Sequence, residues 1–268
     1  MPRHDKPNQQ GKTPTAAFVP DEFAKAIQGQ GLDFRWSRAV ECPCRLEGTD
    51  QWKPSCASCG GDGWKYINPN IRDERHHARD YLQVRCLFAQ VALNMDLFQQ
   101  FGGFMFSDAL LTVQQPMRVG FRDRFIGLDQ EMPWTEVLSR GADRVVPIGK
   151  TGRTTAAQTT AMRYEPVRVN YVEDEDETVY WGQTDYGMRP ATRTEPTKMV
   201  WKTGKGPAEG KAYTVHYVCR PVWIVESASF AIQAAQATPG PLSGTLAPRS
   251  LPTTFKVRLD FLTRARGS

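Results

Sequence analysis

The sequence predicts a mainly β fold, an antiparallel barrel or sandwich with long loops, to which a small four-cysteine module is attached. The 22 glycines and 19 prolines make up about 15% of the 268 residues, above the average share of about 12%, which favours short strands and turns over long helices. Strand-like alternation recurs, as where Val215, Tyr217 and Cys219 alternate with Thr214 and His216. Four cysteines also stand in two tight pairs in the first quarter of the chain.

The length and composition suffice for one large or two modest domains. The chain is 40% apolar and 10% aromatic, which is enough to bury a core. A formal net charge of +5 is too small to indicate a dedicated nucleic-acid-binding protein. We divide the chain into an N-terminal arm with a short helix (1–33), the four-cysteine module (34–70) and a β-barrel or sandwich domain with long loops (71–268).

The N-terminal arm is polar at its start. Residues 1 to about 17 contain few apolar side chains, so we expect them to be disordered in isolation and ordered by contact with a neighbouring subunit. A short helix follows, because Asp21 can cap residues 22–27 and Gly29 and Gly31 can end the helix.

The cysteine pairs are the most specific chemical feature of the sequence. Cys42 and Cys44 form one pair, and Cys56 and Cys59 form the other, followed by a glycine-rich segment. Two such pairs supply the four sulfurs that a tetrahedral structural Zn²⁺ requires, and the glycines suit the sharp backbone turns around a metal. Because four protein ligands leave no open position for water or substrate, the predicted zinc is structural and not catalytic.

Disulfides and free thiols are the alternatives to zinc. A disulfide framework requires an oxidising compartment, whereas the sequence predicts neither a signal peptide nor a membrane span. A redox Cys-x-x-Cys motif normally opens a helix after a strand, whereas glycines and a tryptophan follow Cys59. The spacing therefore favours zinc over both alternatives.

The remaining cysteines and the paired histidines are interpreted as structural. Cys86 and Cys219 lie in strand-like runs, where they are expected to be small buried hydrophobes. His76 and His77 are adjacent, so their side chains diverge and do not readily share one ion. We expect both histidines to be solvated.

Short strands punctuated by turns account for most of the chain after residue 80. The candidate strands are residues 81–94, 104–115, 118–127, 163–172, 178–181, 213–226, 229–233 and 253–263. Residues 149–160, 184–210 and 234–251 are rich in small, polar or turn-forming residues and are predicted to be loops or insertions. Long loops on a β scaffold are where partners usually bind.

Residues 173–177 are five consecutive acidic residues. A calcium loop of the EF-hand type spaces its ligands at alternate positions around a central glycine, and that pattern is absent. The run is expected to be a solvated hairpin tip. The sharper alternative is a repulsive surface that lines a channel through which DNA passes.

The sequence contains no catalytic motif. It lacks Gly-x-Ser-x-Gly, His-Glu-x-x-His and a glycine-rich phosphate loop. We therefore expect a protein that is not an enzyme.

Several segments resemble structural proteins of tailed bacteriophages. Residues 36–44 and 56–66 resemble their zinc-knuckle stretch, and residues 121–126 and 213–225 are similar to barrel strands of phage neck (head–tail connector) proteins. The resemblance covers roughly residues 36–230, and the cysteine module is its specific part. Residues 56–63 also resemble one unit of the DnaJ-type chaperone zinc module, but that module uses four units in tandem, so its function is not carried over.

The phage resemblance implies a virion component assembled in the host cytoplasm. Copies of the chain would form a homo-oligomeric ring between portal and tail and line the DNA exit channel. The implied partners are other neck, portal and tail proteins, with passive contact with DNA and no membrane.

A zinc-ribbon nucleic-acid-binding protein is the rival hypothesis. In it, basic residues around the cysteines would contact phosphates while aromatic residues stack on bases. The basic residues are Arg35, Arg38, Arg45, Lys53 and Lys65, and the aromatic residues are Trp36, Trp52, Trp64 and Tyr66. The alternative role for the aromatic residues is packing over the metal, since so small a module has little core.

Overall fold

The protein is described by a computed structural model. It describes residues 20–46, 48, 51–54, 56, 58–59, 61–69, 81–90, 108–114, 117–141, 144–148, 152–156, 160–190, 197–202, 204–228 and 253–263. The N-terminal arm to residue 17, His76, His77 and the segments 229–233 and 234–251 lie outside these ranges.

Strands dominate the described part of the chain. The helices are α1 (Pro20–Gln30) and α2 (Asp260–Thr263). The strands are β1 (Leu32–Glu41), β2 (Trp64–Ile67), β3 (Leu82–Gln90), β4 (Asp108–Val113), β5 (Arg124–Gly127), β6 (Met132–Ser139), β7 (Arg144–Ile148), β8 (Gly152–Ala156), β9 (Thr160–Ala161), β10 (Pro166–Asp174), β11 (Val179–Tyr180), β12 (Tyr186–Arg189), β13 (Lys198–Trp201), β14 (Ala212–Cys219), β15 (Val222–Ala228) and β16 (Thr253–Leu259).

Six strands close into an antiparallel barrel in the order β1-β3-β4-β16-β15-β5. Closure depends on β5, which pairs with β15 on one side and with β1 on the other. Its register with β1 runs from Phe34 opposite Gly127 to Ser37 opposite Arg124. Closure satisfies the backbone groups that an open sheet leaves at its edges. The predicted mainly β fold with an antiparallel barrel is therefore confirmed.

Aromatic side chains fill the barrel. Trp36 stacks on Phe125 with ring centroids 6.2 Å apart, and Phe34 meets Phe125 edge to face at 6.2 Å. Offset and edge-to-face contacts are the arrangements that aromatic pairs favour. The other buried core residues are Val84, Cys86, Ala109, Leu111, Val113, Trp223, Val225, Phe255 and Val257.

A second core lies between two smaller sheets, β11-β10-β14-β6 and β12-β13-β9. Trp201 is its centre, meeting the rings of Tyr180, Tyr186 and Tyr213 edge to face at 5.2 to 5.6 Å. A side chain at Gly206, where φ is +89°, would place its Cβ 2.4 Å from the Trp201 ring, so this turn requires glycine.

Chain connections and side-chain contacts join the barrel to the second core. Strand β14 belongs to the second core, and after Arg220 and Pro221 the chain enters the barrel as β15. At the end of β16, helix α2 places Phe261 5.1 Å from the ring of Trp134, and the Tyr164 hydroxyl donates to Asp260 at 3.4 Å.

Several boundaries differ from the sequence prediction. The segment 184–210 is not a structureless loop, because it contains β12 and β13, and 149–160 contains β8, which pairs with β7. Candidate 118–127 is strand only from Arg124, and candidate 213–226 is divided at Pro221. Strands β1, β2, β6, β7 and β9 were also not predicted.

Helix α1 extends beyond the predicted residues 22–27: Asp21, predicted as its cap, and Gly29, predicted to end it, both lie inside the helix, and only the Gly31 signal agrees with its end. The Gly31 N–H donates to the Ile27 carbonyl at 2.9 Å. A Cβ on Gly31 would lie 2.3 Å from that same oxygen, so the close approach requires glycine.

Candidate metal centre

The candidate metal centre lies where β1 leaves the barrel. The first half of β1 pairs with β3 and β5, and residues 38–41 pair instead with β2, from Arg38 opposite Ile67 to Glu41 opposite Trp64. The boundary placed at residue 34 therefore falls inside β1, which is shared by the barrel and the module. Cys42 follows β1 directly, so the barrel positions the first ligand.

Short backbone hydrogen bonds hold the cysteines in place. The Cys42 N–H donates to the Gly63 carbonyl at 2.7 Å, and the Lys53 N–H donates to the Cys44 carbonyl at 2.8 Å. The Cys56 N–H donates to the Lys53 carbonyl at 3.1 Å. Each cysteine pair thereby sits at a turn that directs its sulfurs to a common point.

The four sulfurs form one compact group. The Sγ atoms of Cys42, Cys44, Cys56 and Cys59 all lie within 4.8 Å of one another. Two of the separations are 3.9 Å, between Cys42 and Cys56, and 3.4 Å, between Cys44 and Cys59. A tetrahedron with metal–sulfur bonds of about 2.3 Å has edges of about 3.8 Å. The four residues singled out from the sequence could therefore hold a metal ion.

The cysteines are not disulfide-bonded, and their proton affinities differ. All six described cysteines are free thiols. N–H groups of Cys59 and Ser58 lower the pKa of Cys56 to about 6, whereas burial and the hydrogen bond with Cys59 raise the pKa of Cys44 to about 12. Cys56 therefore loses its proton more readily than Cys44, and a cation that binds all four sulfurs displaces the protons that remain.

Two glycines are required by the turns around the cluster. Gly61 has φ of +90°, and a Cβ there would lie 2.7 Å from the carbonyl oxygen of Pro54. Gly63 has φ of +75°, and its Cβ would lie 2.3 Å from the Trp52 ring. Trp52 therefore packs against bare backbone, which explains the glycines after Cys59.

The neighbouring aromatic residues have different surroundings. Trp36 is 3% exposed and donates its Nε1 proton to Asp123 at 2.9 Å, so it cannot stack on a base as the nucleic-acid hypothesis required. Guanidinium groups lie over two other rings, Arg45 over Trp52 at 5.0 Å and Arg124 over Tyr66 at 4.1 Å.

Asp123 anchors the loop beside the module, and sequence reasoning missed it. Its carboxylate accepts the Trp36 Nε1 proton and the backbone N–H groups of Ala39 and Gly120, each at 2.9 Å. Burial raises the pKa of Asp123 although these donors and Arg38 oppose the shift. In the sequence, Asp123 follows Arg122 in a basic segment and looks like an ordinary surface residue. Its partners Trp36 and Ala39 are more than 80 residues away, so no local pattern reveals its role.

The other candidate residues lie apart from the cluster. Cys86 is fully buried in the barrel and Cys219 in the second core, as predicted, and burial raises the pKa of each thiol to about 12.

The acidic run forms the predicted hairpin tip between β10 and β11. There Asp174 accepts the Thr178 N–H at 2.9 Å, and its second oxygen accepts the Tyr180 hydroxyl proton at 2.7 Å. Glu175, Asp176 and Glu177 are exposed. The tip is therefore a fixed turn with solvent-facing carboxylates.

Comparisons with known proteins add no family. No helix in the described part of the chain is long and apolar enough to cross a membrane. No protein-family model matches the chain, and no curated protein matches it either.

Proposed function

We propose that this chain is a structural protein that binds one zinc ion through Cys42, Cys44, Cys56 and Cys59 and acts by assembling into a ring. The supporting observation is the compact group of four sulfurs at the point where β1 leaves the barrel. We assign the ring to the neck of a tailed bacteriophage, between portal and tail, on the resemblance of residues 36–44 and 56–66.

The ligand set supports a structural zinc. Four thiolates suit a soft, tetrahedral ion, and with four protein ligands no coordination position remains for a substrate. The module needs such a cross-link, because β2 is only four residues long and all four of them are partly exposed. In this proposal the metal cross-links the connection between β1 and β2, and the protein is not an enzyme.

Exposed apolar side chains support assembly. Val137 is 69% exposed, Phe121 60% and Trp181 59%. In this proposal, contact with neighbouring subunits covers these side chains. The proposed partners are further copies of this chain and the adjoining portal and tail proteins of the virion.

Electron microscopy and mass photometry of the purified chain test the proposed function. We expect discrete rings of one size, and mass spectrometry of purified phage particles should find the chain in the virion. A chain that stays monomeric at every concentration contradicts the proposal.

A further inference from the structure

An aromatic and basic surface covers the outer side of the β1–β2 ribbon. We call it the arginine–aromatic platform, formed by Trp64, Tyr66, Phe121, Arg122 and Arg124. Trp64 meets Phe121 edge to face with centroids 6.3 Å apart. Arg124 lies over Tyr66 at 4.1 Å, and Arg122 lies over Phe121 at 5.4 Å. Trp64 and Tyr66, on one face of β2, thus form a continuous surface with the residues just before and at the start of β5.

This platform is held rigidly. The Arg122 N–H donates to the Val225 carbonyl at 2.9 Å, and the Val225 N–H donates to the Asp123 carbonyl at 3.0 Å. Arg122 has φ of +67°, a conformation that a non-glycine residue keeps only where its surroundings fix it. Phe121 is nevertheless 60% exposed. A fixed, exposed aromatic residue beside arginines has the composition of an interface hot spot, and its rigidity limits the entropy lost on binding.

The geometry of the platform favours carboxylates over nucleic-acid bases. Base stacking requires open ring faces. Here guanidinium groups cover a face of Tyr66 and of Phe121. Arg122 and Arg124 are both partly exposed, and a guanidinium that covers a ring can pair with a carboxylate through the N–H groups at its edge.

The hairpin tip described above offers the complementary chemistry. Its exposed acids are Glu175, Asp176 and Glu177, and two exposed apolar residues stand beside them, Val179 at 41% and Trp181 at 59%. The Trp181 N–H donates to Asp185 at 2.9 Å, which fixes that turn.

Among the described residues, the ion pairs of the tip are with Lys211 and His216, which lie beside and within β14, the neighbour of β10. Glu175 contacts Lys211, and Glu173 lies 3.1 Å from His216. Asp176 and Glu177 have no ion pair to a described residue. Acids and exposed apolar side chains therefore stand together on one fixed hairpin, opposite in charge to the platform.

We infer that the arginine–aromatic platform binds the acidic hairpin tip of a second copy of this chain. The inference rests on the proposed ring assembly and names its contact. Because platform and tip are different surfaces, the contact is head to tail, which generates a closed ring when the rotation between copies closes. Opposite charges set the register, and Trp181 and Phe121 supply apolar contact at the centre.

Charge reversal tests the contact. The platform variant carries R122E and R124E, and the tip variant carries E175K and E177K. Each variant alone should raise the dissociation constant between copies at least about tenfold. A chain carrying all four substitutions should assemble again.

Mixing the variants provides a second readout. In an equimolar mixture each intact tip meets an intact platform and each reversed platform meets a reversed tip, so the mixture should assemble again with the two variants alternating. F121S and W181S are milder variants that address the same contact if a reversal prevents folding. Arg168→Glu and Glu131→Lys are matched controls, because both side chains are exposed and lie outside the platform and the tip.

The outcomes separate this inference from the proposed function. A wild-type ring that both reversals leave intact overturns the platform–tip contact alone. A wild-type chain that remains monomeric at low salt overturns both. Fluorescence anisotropy with a labelled oligothymidine adds one further outcome: if the platform variant loses oligonucleotide binding while its assembly is unchanged, the platform is a nucleic-acid surface and the inference is wrong.

Discussion

Replacing Cys56 with Ser should weaken metal binding and open the four-cysteine module while the barrel stays folded. Structural zinc sites in small modules contribute about 10–16 kcal/mol of binding free energy, so one of four ligands corresponds to roughly 3 kcal/mol, or about 100-fold in affinity. The effect should be local because β1 is held independently through its pairing with β3 and β5.

Hydrogen exchange provides the assay for the Cys56 variant. The N–H groups of Cys42 and Lys53, which donate to Gly63 and Cys44, should lose protection. Val225 N–H, which donates to Asp123 in the barrel, should keep its protection. Cys86→Ala is the matched control, since it removes a buried thiol of the barrel and should leave metal content unchanged. Unchanged metal stoichiometry and unchanged protection in the Cys56 variant would refute the assignment of this ligand.

Three further predictions concern the glycine turn, a buried ion pair and a buried carboxyl. Gly63→Ala should weaken metal binding because its Cβ would meet the Trp52 ring at 2.3 Å, whereas Gly187→Ala, with no atom within 4 Å, should bind metal normally in a titration with zinc. Asp108→Ala should lower the free energy of unfolding by about 3–5 kcal/mol in urea, because it removes the buried carboxylate that pairs with Arg258 at 2.6 Å and with Lys256 at 3.0 Å and leaves Glu226 to pair with both cations, while metal content stays the same. The raised pKa of Asp123, caused first by burial, means that the folded state holds this proton more tightly than the unfolded state. Its contribution to stability is therefore present at low pH and lost as pH rises from the ordinary value of 3.8 through the raised pKa. Urea unfolding of Asp123→Asn over that range should lack this decline, and identical pH slopes for wild type and variant would contradict the assignment.

The cysteine cluster could be predicted because its information is local. Cys42 and Cys44 flank one residue, Cys56 and Cys59 flank two, and a metal imposes this spacing directly. Gly63 belongs to the same local signal, because a glycine four residues after Cys59 predicts the turn with positive φ that the structure shows there.

Barrel closure could not be predicted in the same way because it depends on remote partners. Strand β1 was missed although Leu32, Phe34 and Trp36 alternate with polar residues as in a half-buried strand, because the segment was assigned to the four-cysteine module. Its pairing with β5 joins residues about 90 positions apart and leaves no local signal. The reverse error occurred at residues 118–123, which alternate like a strand. There the Asp123 side chain accepts the backbone N–H groups of Ala39 and Gly120 and holds the segment as a loop.

Composition misled the prediction over residues 184–210. Turn-forming residues dominate that segment, yet Met199 and Trp201 are buried and draw β13 into the second core. Tertiary burial of one large aromatic residue outweighed the local preference for turns.

Native mass spectrometry of the purified full-length chain would measure metal content and assembly at once. We expect a single oligomeric species in which every subunit carries one zinc ion, and removal of the metal by a chelator should leave folded barrels with an open module. A monomer that binds no metal when purified without a chelator would contradict both the metal centre and the assembly.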